Sequence, residues 1–226
     1  MSELDQKPFD GTEFPDNPEP RCPCALILDT SGSMAGQKIA QLNAGLQTLA
    51  QELQADSIAA TRVAIAVMTF VHVQVVQGFT TADAFAAPTL RASGDTPMGA
   101  AIQSTLSLLT ERKSAYKANG IMLYYRPWVF LITDGAPTDN VNAAAAAVRE
   151  AEASKSLLFY AVGVEGADMD QLKVVSVRQP LHLRGLSFRE LFVWLSNSLG
   201  TVARSKMDET VPLTNPTEPD GWAIAN

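Results

Sequence analysis

Four short apolar runs divide the chain into regular units. They are rich in branched and aromatic side chains and occupy positions 25–28, 63–68, 128–132 and 157–164. Parallel strands that are covered on both faces have this continuous apolar character. A fifth run differs, because Val71, Val73 and Val75 alternate with His72 and Gln74. That period of two predicts a half-exposed antiparallel edge strand.

Between these runs, apolar residues recur at the spacing of three and four that is typical of an amphipathic helix. This spacing predicts helices at 39–53, 98–109, 140–154, 168–175 and 188–202. Ser187, with Glu190 three residues later, predicts a cap for the last helix. Alternating strands and helices predict an α/β fold: a doubly wound, mostly parallel central sheet with one antiparallel edge strand and helices on both faces.

The length of 226 residues favours one large domain. We expect a proline-rich N-terminal segment (1–20), a folded domain (21–204) and a proline-rich C-terminal tail (205–226). The composition of the two ends leaves two alternatives open. They are disordered, or they attach to the domain surface through apolar side chains at Phe9, Phe14, Val211, Leu213 and Trp222.

The charge of the chain narrows the range of partners. A formal net charge of −7 argues against binding to nucleic acids or anionic membranes, which require basic patches. The apolar runs are too short to span a bilayer, and residues 1–5 lack the features of a signal peptide, so we expect a cytoplasmic protein. Cys22 and Cys24 are interpreted as ordinary thiols at the start of a buried strand, with a redox or shared-metal role as the alternative.

Three polar segments carry the candidate chemistry. Asp29, Ser31 and Ser33 follow the first apolar run, Thr96 precedes a predicted helix, and Asp134 follows the third run. The carboxyl ends of strands in a doubly wound sheet form the ligand crevice. A ligand set made only of oxygens selects a hard cation, Mg²⁺ first, with Mn²⁺ or Ca²⁺ possible.

These five residues reproduce, in order, the Asp-x-Ser-x-Ser, Thr and Asp pattern of the metal-ion-dependent adhesion site (MIDAS) of the von Willebrand factor A (VWA) family. The chain resembles this family from about residue 24 to residue 202. The resemblance implies that Ser31, Ser33 and Thr96 contact the metal directly, while Asp29 and Asp134 act through water or orient the hydroxyls. It also implies that the cation binds an Asp or Glu side chain of a protein partner.

Three further stretches, at 22–24, 124–128 and 133–139, are similar to tellurite-resistance members of the family. That similarity implies a tellurium-resistance or stress-response system whose partners are kinase- or phosphatase-like proteins.

Four residues are candidates for contacting the partner: Gly32, Asp95, Tyr124 and Tyr125. The alternatives are that both tyrosines pack against a neighbouring helix, and that Asp95, like Asp139, is a solvated turn residue. Metal-independent docking through the 124–128 connector and the termini stays open as a second function. A hydrolase or phosphotransfer enzyme is least favoured, because the chain lacks the P-loop, the Gly-x-Ser-x-Gly and the Gly-x-Gly-x-x-Gly motifs. We therefore predict that the protein is not an enzyme.

Overall fold

A central sheet organises the computed structural model, which describes residues 17, 19–123, 125–206 and 209–224. Its strands within these ranges are β1 (Cys22–Leu28), β2 (Val63–Thr69), β3 (Gln74–Thr81), β4 (Trp128–Thr133), β5 (Leu158–Gly163), β6 (Leu181–Leu183) and β7 (Ala223–Ile224). The order across the sheet is β3-β2-β1-β4-β5-β6-β7. The five inner strands pair in parallel, and β3 and β7 pair antiparallel at the two edges. The predicted fold class is confirmed, with β7 as an additional antiparallel edge strand.

Helices cover both faces of this sheet. They are α1 (Gln37–Ala55), α2 (Ser57–Arg62), α3 (Met98–Ala118), α4 (Asn142–Ala153), α5 (Met169–Val175) and α6 (Phe188–Arg204). Helices α1, α2 and α6 contact one another, and in the second group α4 contacts both α3 and α5. The short helix α2 was not predicted. Ser187 stands at the N-terminal boundary of α6, but its side chain makes no capping hydrogen bond.

The side chains of β1 show why its apolar run is continuous. Leu26 and Leu28 belong to the core layer that includes α1 and α6, whereas Ala25 and Ile27 belong to the layer that includes α3 and α4. Successive strand residues point to opposite faces, and here both faces are buried. The strand therefore has no solvent-exposed face that would carry polar residues. The residues that follow it lie directly at the boundary of the core.

The edge strand lies later in the chain than predicted. Val71–Val73 form a 3-10 turn, and β3 begins only at Gln74. His72 and Val73 have φ values of 55° and 47°, which interrupt an extended backbone. The register also differs from the prediction, because Val75 is exposed and Val76 packs against the core.

The described part of the C-terminal tail is attached to the domain. Trp222 is buried and meets Trp194 of α6 edge-on, with 5.6 Å between the ring centroids. Val211 and Leu213 also pack against the core. Of the two alternatives for this segment, the described residues follow attachment. Residues 1–16, including Phe9 and Phe14, lie outside the described residues.

None of the helices in the described ranges combines the length and the apolar composition that crossing a bilayer requires.

The contact between α1 and α6 leaves no room for a side chain at Gly45. A methyl group at its Cβ position would lie 2.5 Å from Cδ2 of Phe192 and 3.1 Å from the carbonyl oxygen of Phe188. We predict that Gly45→Ala lowers the free energy of unfolding by about 1–3 kcal/mol, since overpacking outweighs the gain in helix propensity. Urea denaturation measures this change. Gly78→Ala in β3 is the control, because no atom lies within 4 Å of its added methyl; equal effects of the two changes would contradict the packing argument.

The two thiols lie inside β1, and both are fully buried. Burial raises the pKa of Cys22 to about 12 and the pKa of Cys24 well above its ordinary value. Because the thiolate is the reactive form, we predict that neither cysteine reacts with a thiol reagent at pH 8 in the native protein, and that both react in guanidinium chloride. Rapid native labelling would instead support the redox alternative.

Candidate metal centre

Asp29 lies immediately after β1 and is fully buried at the carboxyl ends of the parallel strands. Its Oδ1 accepts a hydrogen bond from the backbone N–H of Ser31 at 2.7 Å, and its Oδ2 accepts one from the Thr133 hydroxyl at 2.5 Å. Desolvation raises the pKa of Asp29, although the bonds from Thr133 and Ser31 act in the opposite direction. Both carboxylate oxygens are thus fixed by neighbouring donors.

A chain of hydroxyl contacts links the first loop to the loop after β4. The hydroxyl oxygens of Ser31 and Ser33 are 2.9 Å apart, and the Ser33 hydroxyl donates to Oδ1 of Asp134 at 2.6 Å. Ser31 and Asp134 are buried, whereas Ser33 is exposed. The cluster therefore has a buried base and one accessible hydroxyl.

Backbone hydrogen bonds connect the loop of Thr96 to both other loops. The N–H of Gly32 donates to the carbonyl of Gly94 at 3.1 Å, and the N–H of Ser93 donates to the carbonyl of Thr30 at 2.7 Å. The carbonyl of Thr96 accepts from the N–H of Thr138 at 2.9 Å. These bonds hold the buried Thr96 beside the other candidate ligands.

Gly135 marks the point where the three loops converge. A methyl group at its Cβ position would lie 3.4 Å from Oγ1 of Thr96, 3.8 Å from Oδ2 of Asp29 and 3.9 Å from Oγ of Ser33. One small space is therefore bordered by oxygen atoms from the loop after β1 and from the loop of Thr96, and it lies against Gly135 of the loop after β4. A side chain at position 135 would enter it. The structure brings together the residues that the motif predicts.

The donor set fits a hard divalent cation. Within the described ranges, no three carboxylate, imidazole or thiol groups come together as metal ligands. A metal at this place would therefore depend on the hydroxyls of Ser31, Ser33 and Thr96 together with the two aspartates. Oxygen donors of this kind suit Mg²⁺, Mn²⁺ or Ca²⁺.

Three residues that contact the candidate ligands were not predicted as site residues. Thr133 bonds to Asp29, Gly135 leaves the central space open, and Lys38 of α1 reaches Asp134 with 2.5 Å between Nζ and Oδ2. The position of Thr133 could have indicated it, because Thr133 directly follows the apolar run at 128–132 and is the last strand residue before the loop. Lys38 has no such signal, since its contact spans 96 positions.

Asp139 has a structural role in place of the solvated position considered for it. Its carboxylate accepts from the N–H groups of Gly99 at 2.9 Å and Ala100 at 2.8 Å. These are orphan donors of the first turn of α3, where a negative charge is also favourable. Asp139 thereby anchors the helix that follows Thr96.

The four candidate partner contacts separate into two groups. Gly32 and Asp95 are exposed beside the site. Tyr125 is buried, and its hydroxyl donates to the carbonyl of Ala203 at 2.9 Å. Tyr125 precedes β4 and so lies at the amino ends of the parallel strands, opposite the candidate site. It packs against the end of α6, in agreement with the alternative that it packs against a neighbouring helix. Tyr124 lies outside the described residues.

Comparison with known proteins gives a family match over most of the chain. The sequence profile of the von Willebrand factor type A domain matches residues 25–183. Matrilin-3 of Mus musculus is 34% identical over 85 residues, a match that takes in 36% of this chain and 17% of Matrilin-3. The chain thus corresponds to a small part of that relative.

Solved structures share the fold at low identity. The pilus adhesin SpaC of Lactobacillus rhamnosus GG has a TM-score of 0.65 at 13% identity, over 80% of this chain and 30% of SpaC. Proximal thread matrix protein 1 of the mussel byssus, with a zinc-occupied MIDAS motif, has a TM-score of 0.52 at 13% identity, over 80% of this chain and 48% of that one. The SpRpn10 VWA domain has a TM-score of 0.53 at 12% identity, over 73% and 87%.

The hydrogen bond from Thr133 to Asp29 predicts a pH-dependent stability. Because the pKa of Asp29 is raised in the fold, its charge costs stability at neutral pH. That cost disappears as the pH falls below the ordinary aspartate pKa, where the folded and unfolded forms are both protonated. Thr133→Val removes a donor and raises this pKa further. We expect a loss of about 1–3 kcal/mol in unfolding free energy at pH 7 and a smaller loss at pH 4, measured by urea denaturation in EDTA. Equal losses at both pH values would contradict this account.

Proposed function

The chain belongs to the von Willebrand factor type A domain family, and on that premise we propose that it is a metal-dependent protein-interaction module that binds an acidic side chain of a partner. The observation that carries the proposal is the space at Gly135, where three loops meet. The loop after β1 contributes oxygens of Asp29 and Ser33, a second loop contributes the Thr96 hydroxyl, and the loop after β4 contributes Gly135. Loops separated by up to about a hundred residues meet there through direct hydrogen bonds.

The residues divide into ligands and orienting groups. Ser31, Ser33 and Thr96 would hold the cation through their hydroxyls. Asp29 and Asp134 orient these groups, because each carboxylate is already fixed by hydrogen bonds within the loops. A bound Mg²⁺, or Mn²⁺ or Ca²⁺ in its place, would supply positive charge that neutral hydroxyls leave largely uncompensated.

The accessible side of the site suits capture of a protein carboxylate. Ser33 and Gly32 are exposed, while the two aspartates at the base are buried. An incoming Asp or Glu side chain can therefore approach the hydroxyl side without first meeting the buried carboxylates.

We further propose a cytoplasmic role in a tellurium-resistance or stress-response system, with a kinase- or phosphatase-like protein as partner. Support for this comes from the similarity of residues 22–24, 124–128 and 133–139 to the tellurite-resistance protein TerY. Cys22 and Cys24 are buried, which favours an adaptor over a protein that handles tellurite through its own thiols.

The function is tested by two glycine variants at the same site. Gly135→Ala places a methyl among the converging oxygens, whereas the methyl in Gly32→Ala comes no nearer than 3.8 Å to any atom outside its immediate neighbours, the carbonyl of Gly94. With Mg²⁺ at about 100 times its dissociation constant, we expect the wild type and Gly32→Ala to gain about 2.7 kcal/mol of stability, or roughly 5–10 °C in melting temperature. Gly135→Ala should lose this shift. Scanning calorimetry with Mg²⁺ and with EDTA measures it.

The partner is tested by affinity capture from a cell extract under the same two conditions. A protein held by wild type in Mg²⁺, released by EDTA and not captured by Gly135→Ala supports the proposal. Capture that survives both EDTA and Gly135→Ala would favour metal-independent docking. An equal melting shift in all three proteins would refute the assignment of the site.

A further inference from the structure

Lys38 places a fixed positive charge beside the candidate metal site. It is the second residue of α1, where a cation is disfavoured by the positive end of the helix dipole. Its ammonium nevertheless points toward the carboxyl ends of the strands. It donates to Oδ2 of Asp134 at 2.5 Å and to the carbonyl of Glu165 at 2.8 Å. The side chain of Asp134 is fully buried, while that of Lys38 is 24% exposed. The ion pair thus has one partner inside the site and one at its rim.

The two oxygens of Asp134 are divided between different donors. Oδ1 accepts from the Ser33 hydroxyl, which belongs to the candidate metal ligands, and Oδ2 accepts from Lys38. One carboxylate therefore connects the ammonium to the ligand set. A change in the charge balance on either side of Asp134 is felt on the other.

A turn after β5 closes over this ion pair. Gly166 has a φ of 99°, and a methyl at its Cβ position would lie 3.2 Å from the carbonyl oxygen of Asp134 and 3.8 Å from Nζ of Lys38. Glu165 supplies the carbonyl that accepts from the ammonium. The position of Lys38 is thereby fixed from two sides, by the loop after β4 and by the turn after β5.

Resting on the function proposed above, we propose that Lys38 is a resident counter-cation that makes metal binding conditional on the acidic partner. Its charge neutralises Asp134 when no metal is bound and so stabilises the metal-free protein. The same charge repels a divalent cation and lowers its affinity, but it attracts an incoming carboxylate. The attraction between cation and carboxylate makes each bind more tightly when the other is present, and this coupling is reciprocal. The partner's carboxylate therefore restores the metal affinity that Lys38 lowers.

The test removes the charge of Lys38 and compares the effect with that of removing the charge of an exposed lysine, Lys173. Lys38→Met eliminates the ammonium, and Lys38→Gln eliminates the charge but keeps a donor for Asp134. Lys173→Met is the matched control, because it removes an exposed ion pair with Asp170. Mn²⁺ is titrated by calorimetry into each protein with and without saturating acetate as the carboxylate probe, and the melting temperature is measured in EDTA.

We expect both Lys38 variants to bind Mn²⁺ alone at least about fivefold more tightly than the wild type. The increase in Mn²⁺ affinity caused by acetate should persist in both, because it comes from the attraction between cation and carboxylate. Lys38→Met should melt at a lower temperature in EDTA. Lys173→Met should match the wild type in Mn²⁺ affinity. Detectable Mn²⁺ binding by the Lys38 variants but not by the wild type would also support the inference.

Two results would overturn it, and they differ in what else they overturn. If the wild type binds Mn²⁺ and both Lys38 variants bind it equally or more weakly, the counter-cation role is refuted while the metal site stands. If neither the wild type nor the two variants bind Mn²⁺, the proposed function is refuted together with this inference.

Discussion

The burial of two carboxylates at the carboxyl ends of the central strands is the constraint on which the site depends. Asp29 and Asp134 are almost completely removed from solvent, and a buried carboxylate without donors would be strongly destabilising. Every oxygen of the pair has a donor, supplied by Ser31, Thr133, Ser33 and Lys38 in turn. These hydrogen bonds within the protein hold the loops after β1 and β4 in one arrangement.

The register of the parallel strands is what makes this arrangement reachable. Leu28 pairs with Ile132, so that Asp29 and Thr133 leave adjacent strands at the same level. Thr133 in turn pairs with Gly163. The turn after β5 that contacts Lys38 therefore lies at these same strand ends. Because both faces of these strands are packed, the register cannot slip without moving core residues, and the positions of the polar groups follow from the packing of the apolar ones.

Much of this could be predicted from the sequence, and the exceptions have physical reasons. Doubly covered strands have continuous apolar runs, so the fold class and the loops after β1 and β4 could be predicted. Thr96 precedes α3 and could be identified because the residues match the family motif. The register of β3 could not, because it depends on the left-handed backbone at His72 and Val73. Strand β7 has two residues and is held by the packing of Trp222, which no local pattern shows. The same applies to Lys38, whose role depends on a contact with a residue far along the chain.

The central claim is that a single divalent cation occupies the space between the three loops. Crystals grown with Mn²⁺, with anomalous diffraction recorded near the manganese edge, test this most directly. We expect one anomalous peak next to Gly135, within coordination distance of the hydroxyls of Ser31, Ser33 or Thr96. A well-ordered site with no peak there, or a peak only elsewhere on the protein, would contradict it.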